Sequence, residues 1–161
     1  MPPIVSALLI IGLTGCATNA TVAAAAPRSN VSHDHALVLA KQVASSIGGR
    51  VYVIAPSGSM LPTLDETSIV TVEKVSVDRL SRGDIVVYRN ASGEAVIHRL
   101  YERHDDCWFV LGDNNASIDR ETVSAGNFLG RVCAIFYTAT NPKATRQASL
   151  VPPFTAVASR E

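Results

Sequence analysis

Between Val51 and Thr138 the chain is a succession of short apolar runs rich in valine, isoleucine and tyrosine, each set off from the next by a turn cluster. Runs of this length and composition predict strands. They fall at Val51–Ala55, Ser68–Val75, Asp84–Arg89, Glu94–Arg103, Cys107–Leu111 and Leu129–Thr138, with Asn90–Gly93 as a hairpin turn. The gaps are too short for crossover helices, so the strands must pair largely antiparallel. The expected fold class is mainly β: an antiparallel sheet preceded by one amphipathic helix. That helix is predicted over residues 31–48, where Leu37, Ala40, Ala44 and Ile47 recur at spacings of three and four. Ser32 offers it an N-cap and Gly48-Gly49 a stop.

Residues 1–27 carry no charge, and their most apolar part, Ile4–Leu13, has the length of a signal-peptide core. A comfortable membrane span needs roughly 20 residues. Leu13-Thr14-Gly15-Cys16 follows and resembles the lipobox of bacterial lipoproteins, which implies cleavage before Cys16 and lipid attachment to it. A simple cleaved signal or a transmembrane anchor is the alternative, because no basic residue precedes the apolar run and the uncharged stretch continues through Ala26. The expected organisation is a lipoprotein-type signal peptide at 1–15, a linker at 16–30, the helix at 31–48, the β domain at 49–139 and a loosely packed tail at 140–161. This places the protein outside the cytoplasm, on the periplasmic side, tethered to the membrane surface.

Fourteen basic and fourteen acidic residues give a net charge of zero without long runs of either sign, which argues against a nucleic-acid partner. Cys107 and Cys133 lie in two apolar runs that could pair as neighbouring strands. In an exported chain they form a candidate disulfide, and in a cytosolic one two buried thiols. His33 and His35, two residues apart at a helix start, point in different directions and read as solvated. No metal or other cofactor is called for.

The stretch Pro56-Ser57-Gly58-Ser59-Met60-Leu61-Pro62-Thr63-Leu64 follows the first strand and offers Ser59 as a nucleophile. Taken alone, Ser-Gly-Ser is equally ordinary turn chemistry. A serine needs a base within hydrogen-bond reach and donors aimed at the developing oxyanion. The three lysines, Lys41, Lys74 and Lys143, lie in the helix, in a strand of exposed, alternating character, and in the tail. His98 shares a strand face with Val96 and Leu100 and is the better base, although a histidine there also fits a satisfied core residue. His104, beside Asp105 and Asp106, reads as a solvated turn residue. Leu111–Arg120 offers Asp113 and Asp119 as orienting carboxylates, and its Gly-Asp-Asn-Asn is also β-turn chemistry.

Four segments in order, Pro56–Leu64, Arg82–Tyr88, Val96–Leu100 and Gly112–Arg120, resemble the sequence boxes of the type I signal peptidase family. The resemblance covers about Val51–Phe136 and is to the Ser-His branch, as in archaeal and endoplasmic-reticulum members. It implies that Ser59 is the nucleophile, that its backbone N–H and the Ser57 hydroxyl form the oxyanion hole, and that His98 is the base where other members carry lysine. It implies Asp119 as the third member of a triad, with Asp113 and Ser117 in support. The implied activity is a serine endopeptidase that cuts exported or membrane-emerging precursor proteins after small residues. The chain between His98 and Asp113 is too short for the large β insertion of many bacterial members, which implies a more open cleft. The alternatives are a maturation peptidase dedicated to one partner and an inactive, peptide-binding lipoprotein. A related self-cleaving repressor is disfavoured by the export signal and by the lysine pattern. A histidine base, with a reference pKa of about 6.5, implies activity rising through the neutral range.

Overall fold

Seven strands form one sheet in the order β1-β2-β7-β3-β4-β5-β6, and every neighbouring pair is antiparallel. In the computed structural model, which describes residues 25–139, the strands are β1 (Arg50–Val53), β2 (Ile69–Glu73), β3 (Ile85–Arg89), β4 (Ala95–His104), β5 (Cys107–Leu111), β6 (Thr122–Val123) and β7 (Phe128–Phe136). One helix, α1 (His33–Ile47), precedes them, and a single 3-10 turn spans Val77–Arg79. The mainly β, signal-peptidase-like architecture is thus the one expected. The expected signal peptide at 1–15, lipidation at Cys16 and tail at 140–161 lie outside the described residues.

Alternation along β3 explains how the sheet buries both faces. Ile85 and Val87 enter one core with Ile54, Met60, Leu64, Val70 and Val72. Val86 and Tyr88 enter a second core with Leu80, Leu100, Trp108, Val110 and Val123. Each fully buried aliphatic side chain contributes roughly 1.5–3 kcal/mol, so the two clusters hold the central strands from both sides.

Ser32 caps α1 by accepting the His35 backbone N–H at 3.3 Å, and Gly48 ends it at φ 62°, a left-handed conformation that suits glycine. The stripe the helix buries is Ala36, Ala40 and Ala44, a spacing of four whose small side chains let it lie close on the sheet. The expected packed face included Ile47, which is 44% exposed. Ile69 packs beneath these alanines, and the Thr71 hydroxyl donates to the Ala40 carbonyl at 3.1 Å. Strand β2 is therefore buried on both faces from Ile69 to Val72, and the exposed, alternating strand expected around Lys74 is corrected. Lys74 itself lies exposed beyond the strand end.

The described part of the segment before α1 makes specific contacts with the β domain. Ala26 is buried, Arg28 pairs with Asp65 at 2.6 Å, and the Ala139 N–H donates to the Val31 carbonyl at 2.8 Å. Asp65 in turn accepts from the Thr67 backbone and from the Thr67 and Ser68 hydroxyls. Burial opposes its ionisation, but these bonds and the Arg28 charge outweigh that and hold the carboxyl below its ordinary range.

The disulfide expectation is overturned by strand order. Cys107 is on β5 and Cys133 on β7, with β3 and β4 between them, and both are free. At about 4.8 Å per strand the two are far beyond the roughly 7 Å between Cα atoms that a bridge can span. Each thiol instead donates to a nearby carbonyl, Cys107 to His104 at 3.2 Å and Cys133 to Thr71 at 3.3 Å.

Candidate active site

The segment joining β1 to β2 carries Ser59. Met60 and Leu64 drop into the first core, and the Leu64 N–H bonds the Met60 carbonyl at 2.9 Å, so the turn is anchored directly beside the serine. Gly58 stands at φ 72°, where a side chain would be strained. The Leu61 N–H closes back on the Gly58 carbonyl at 3.2 Å.

His98 comes from β4, opposite Val86 of β3, and is 8% exposed. Its Nε2 lies 3.2 Å from Ser59 Oγ. Its Nδ1 is in hydrogen-bond contact with Asp119 Oδ2. Asp119 reaches it from the connection between β5 and β6, where its backbone N–H bonds the Val110 carbonyl at 3.0 Å. Three residues, two from separate connections and one from strand β4, thus form one chain of contacts, serine to imidazole to carboxylate. The Ser59 N–H donates to Ser57 Oγ at 3.4 Å, and the two hydroxyl oxygens are 3.2 Å apart, so the Ser57 hydroxyl lies directly beside the serine.

The Gly-Asp-Asn-Asn segment braces the serine turn. The Asn114 N–H donates to the Ser59 carbonyl at 2.8 Å, and the Asn114 amide donates to the Gly58 carbonyl at 3.1 Å. Asp113 accepts a two-pronged contact from Arg99, with Nε to Oδ1 and Nη2 to Oδ2 both at 2.7 Å, and also accepts the Thr63 hydroxyl. Burial works against ionising Asp113, but Arg99 and Thr63 outweigh it and hold the carboxyl below the usual range. The same Asp113 hydrogen bonds raise the Arg99 guanidinium above its ordinary value, against the effect of burial. Asp113 therefore supports the site through the turn, without touching Ser59 or His98.

Ser117 is not drawn in: it is exposed and, among the described residues, has no side-chain hydrogen bond. Lys41 and Lys74 are exposed and do not line the cleft beside Ser59. His104 pairs with Asp105 at 3.2 Å on an exposed turn. Sequence reasoning left Tyr88, Asn114, Arg99 and Thr63 without roles. That Tyr88 needs a partner could be read from its place at the end of the apolar run Ile85–Tyr88, because a buried phenol needs one, but which partner could not. Its hydroxyl donates to Asp119 Oδ2 at 3.2 Å. Burial first, and then the Asp119 carboxylate, push this phenol well above its ordinary range.

A cleft of about 490 Å³ opens beside Ser59 and His98. Tyr52, Val53, Ile54 and Ala55 line one side, Ala95, Val96 and Ile97 the other, and Met60, Leu64 and Val87 also border it. Two strand edges are open there. Among the described residues, β1 has a neighbour on one side only, and β5 pairs with β4 only from Arg99 onward, leaving Ala95–His98 partnered by β3 alone.

A sheet of this kind, with a serine, a histidine and an aspartate gathered beside an apolar cleft, belongs to a class of peptidases. A family model described as Peptidase S24-like matches residues 17–133, well over half of the chain, and the protein belongs to this signal-peptidase-like family. Signal peptidase I W of Bacillus subtilis (strain 168) is 34% identical over 76 residues, which cover 44% of this chain. The match spans 40% of that relative's own length.

Proposed function

We propose that the protein is a serine endopeptidase in which Ser59 is the nucleophile, His98 the general base and Asp119 the carboxylate that orients it. The observation that carries this reading is the run of contacts from Ser59 Oγ to His98 Nε2 at 3.2 Å and from His98 Nδ1 to Asp119. His98 Nε2 takes the hydroxyl proton as Ser59 Oγ adds to the substrate carbonyl. The tetrahedral oxyanion is met by the Ser59 N–H and the Ser57 hydroxyl, which turns away from Ser59 to donate to it. Collapse breaks the peptide C–N bond, and His98 returns the proton to the leaving amine. Water, deprotonated by the same nitrogen, then releases the acyl group and restores Ser59.

The open edges of β1 and of Ala95–His98 suit an extended peptide, which would add main-chain bonds on either side. The apolar lining favours uncharged side chains next to the cut. The name of the signal peptidase relative and the box resemblance favour exported or membrane-emerging precursors as substrates, cut after small residues, and the lipobox-like Leu13–Cys16 favours a site of action on the extracytoplasmic membrane surface through an anchor at Cys16. A tether there raises the effective concentration of cut sites that emerge from the bilayer.

Replacing Ser59 by alanine should abolish cleavage of a small-residue peptide while circular dichroism and melting stay those of the parent. Retained turnover in that variant would refute the nucleophile. The tether is tested by labelling cells with a radioactive fatty acid. Label should follow Cys16, and label that survives Cys16→Ser would remove the lipid anchor.

A further inference from the structure

We propose that Tyr88 is a positioning residue of the site, its hydroxyl sharing Asp119 Oδ2 with His98 Nδ1 and so fixing both the carboxylate and the imidazole tautomer. The proposal rests on the catalytic reading of Ser59, His98 and Asp119 above. Tyr88 comes from β3 and is 1% exposed, and its ring lies 6.4 Å from that of His98, tilted by 55°. The phenol is thus part of the wall against which the imidazole rests, as well as a donor to its partner.

The charge balance makes the hydroxyl more than a filler. Asp119 must present a lone pair to Nδ1–H, so that Nε2 is left free to accept from Ser59. A carboxylate in a partly buried setting is held in its charged form by each hydrogen bond it accepts. Tyr88 cannot itself ionise near neutrality, because burial and the adjacent carboxylate both oppose it. It therefore donates to Asp119 throughout the working pH range. It also draws charge from Oδ2, which tempers the pull of Asp119 on an imidazolium at His98.

The other charged groups around the imidazole are few. Asp113, beyond β5, exerts a long-range influence and is itself neutralised by Arg99 of β4. Glu121 acts on Tyr88 from the same connection that carries Asp119. Glu94, just before β4, lines the cleft and accepts from the Asn90 amide at 3.1 Å. None of these bonds Oδ2, so among the described residues loss of the phenol hydroxyl leaves Asp119 with His98 alone on that oxygen.

The test is Tyr88→Phe in the full chain, which keeps the ring in the core. The imidazole signals are followed by NMR across pH, with His98 assigned by its loss in His98→Gln. The midpoint of the His98 signal should move upward by about half a pH unit. The acid limb of kcat/KM should move with it, and kcat should fall about tenfold with KM little changed. In an Asp119→Asn background the same Tyr88→Phe change should leave the His98 midpoint where it is. An unmoved midpoint in folded Tyr88→Phe, or an equal shift in the Asp119→Asn background, overturns the proposal. If the phenylalanine variant fails to fold, the parent is labelled with a fluorinated tyrosine of lower phenol pKa. The stronger donor should then move the His98 midpoint downward, and an unmoved midpoint overturns the proposal equally. The titrations need no substrate, so they stand apart from the Ser59→Ala assay that decides the catalytic reading itself.

Discussion

At the scale of single residues, the site depends on how closely one loop backbone can approach another. Gly112 is the clearest case, because a Cβ built there would lie 2.7 Å from the Ser59 carbonyl and 2.7 Å from the Asn115 amide nitrogen. The Ser59 carbonyl is the atom that accepts the Asn114 N–H, so any side chain at 112 pushes directly on the serine turn. Gly112→Ala should therefore shift Ser59 relative to His98 while leaving both cores in place. Peptide turnover is expected to fall by about a hundredfold, the loss typical of a misplacement near 1 Å, with the far-ultraviolet spectrum unchanged. Turnover within a factor of two of the parent would show that the loop yields and the serine does not follow.

At the scale of elements, what could be read in advance was what depends on local pattern. The runs of valine and isoleucine located six of the seven strands to within a residue or two, and Ser32 and Gly48 marked the helix ends. β6 escaped because Thr122–Val123 is only two residues long and pairs through Trp108 and Phe109, a partnership no local pattern encodes. The two-sided burial of β2 escaped for a related reason. Which face a strand hides depends on whether a helix lies over it, and α1 does so through alanines that carry little hydrophobic signal. The pairing of Cys107 with Cys133 was plausible while strand order was unknown, and failed once β3 and β4 stood between β5 and β7. Ser59, His98 and Asp119 were legible through the order of their boxes. The duty of Tyr88 was not, because β3 and the β5–β6 connection meet only in the fold.

At the scale of the whole molecule, two carboxylates tie distant parts of the chain together and should make stability depend on acid. Asp113 joins the β5–β6 connection to β4 and to the serine turn, and Asp65 joins the β1–β2 connection to Arg28. Both are held below their ordinary range in the folded protein. A carboxyl with a lowered folded pKa contributes its full stabilisation above the unfolded value, about 3.9, and loses it as pH falls through the lower folded value. Stability should therefore decline from about pH 5 downward. Asp113→Asn should unfold more easily at pH 7, by about 1–3 kcal/mol in urea titrations, and should lose less on acidification than the parent. Parallel declines for the two proteins between pH 5 and pH 2 would show that Asp113 contributes no acid linkage.

The contacts from Ser59 to His98 and from His98 to Asp119 join positions 39 and 21 residues apart in the chain. The serine hangs from the edge of the sheet that β1 forms, and the aspartate from the opposite edge, beyond β5. Between them in the sheet stands β7, the last strand of the chain, whose pairings, such as Ile69 with Phe136, reach further along the chain than either contact, and closing such spans is the slow, entropically costly part of folding a β protein. A refolding chain would hold most of its hydrogen-bonded ladders before nucleophile, base and carboxylate meet. The contacts among Ser59, His98 and Asp119 are therefore among the last features a folding chain should acquire, after the strand framework that carries them.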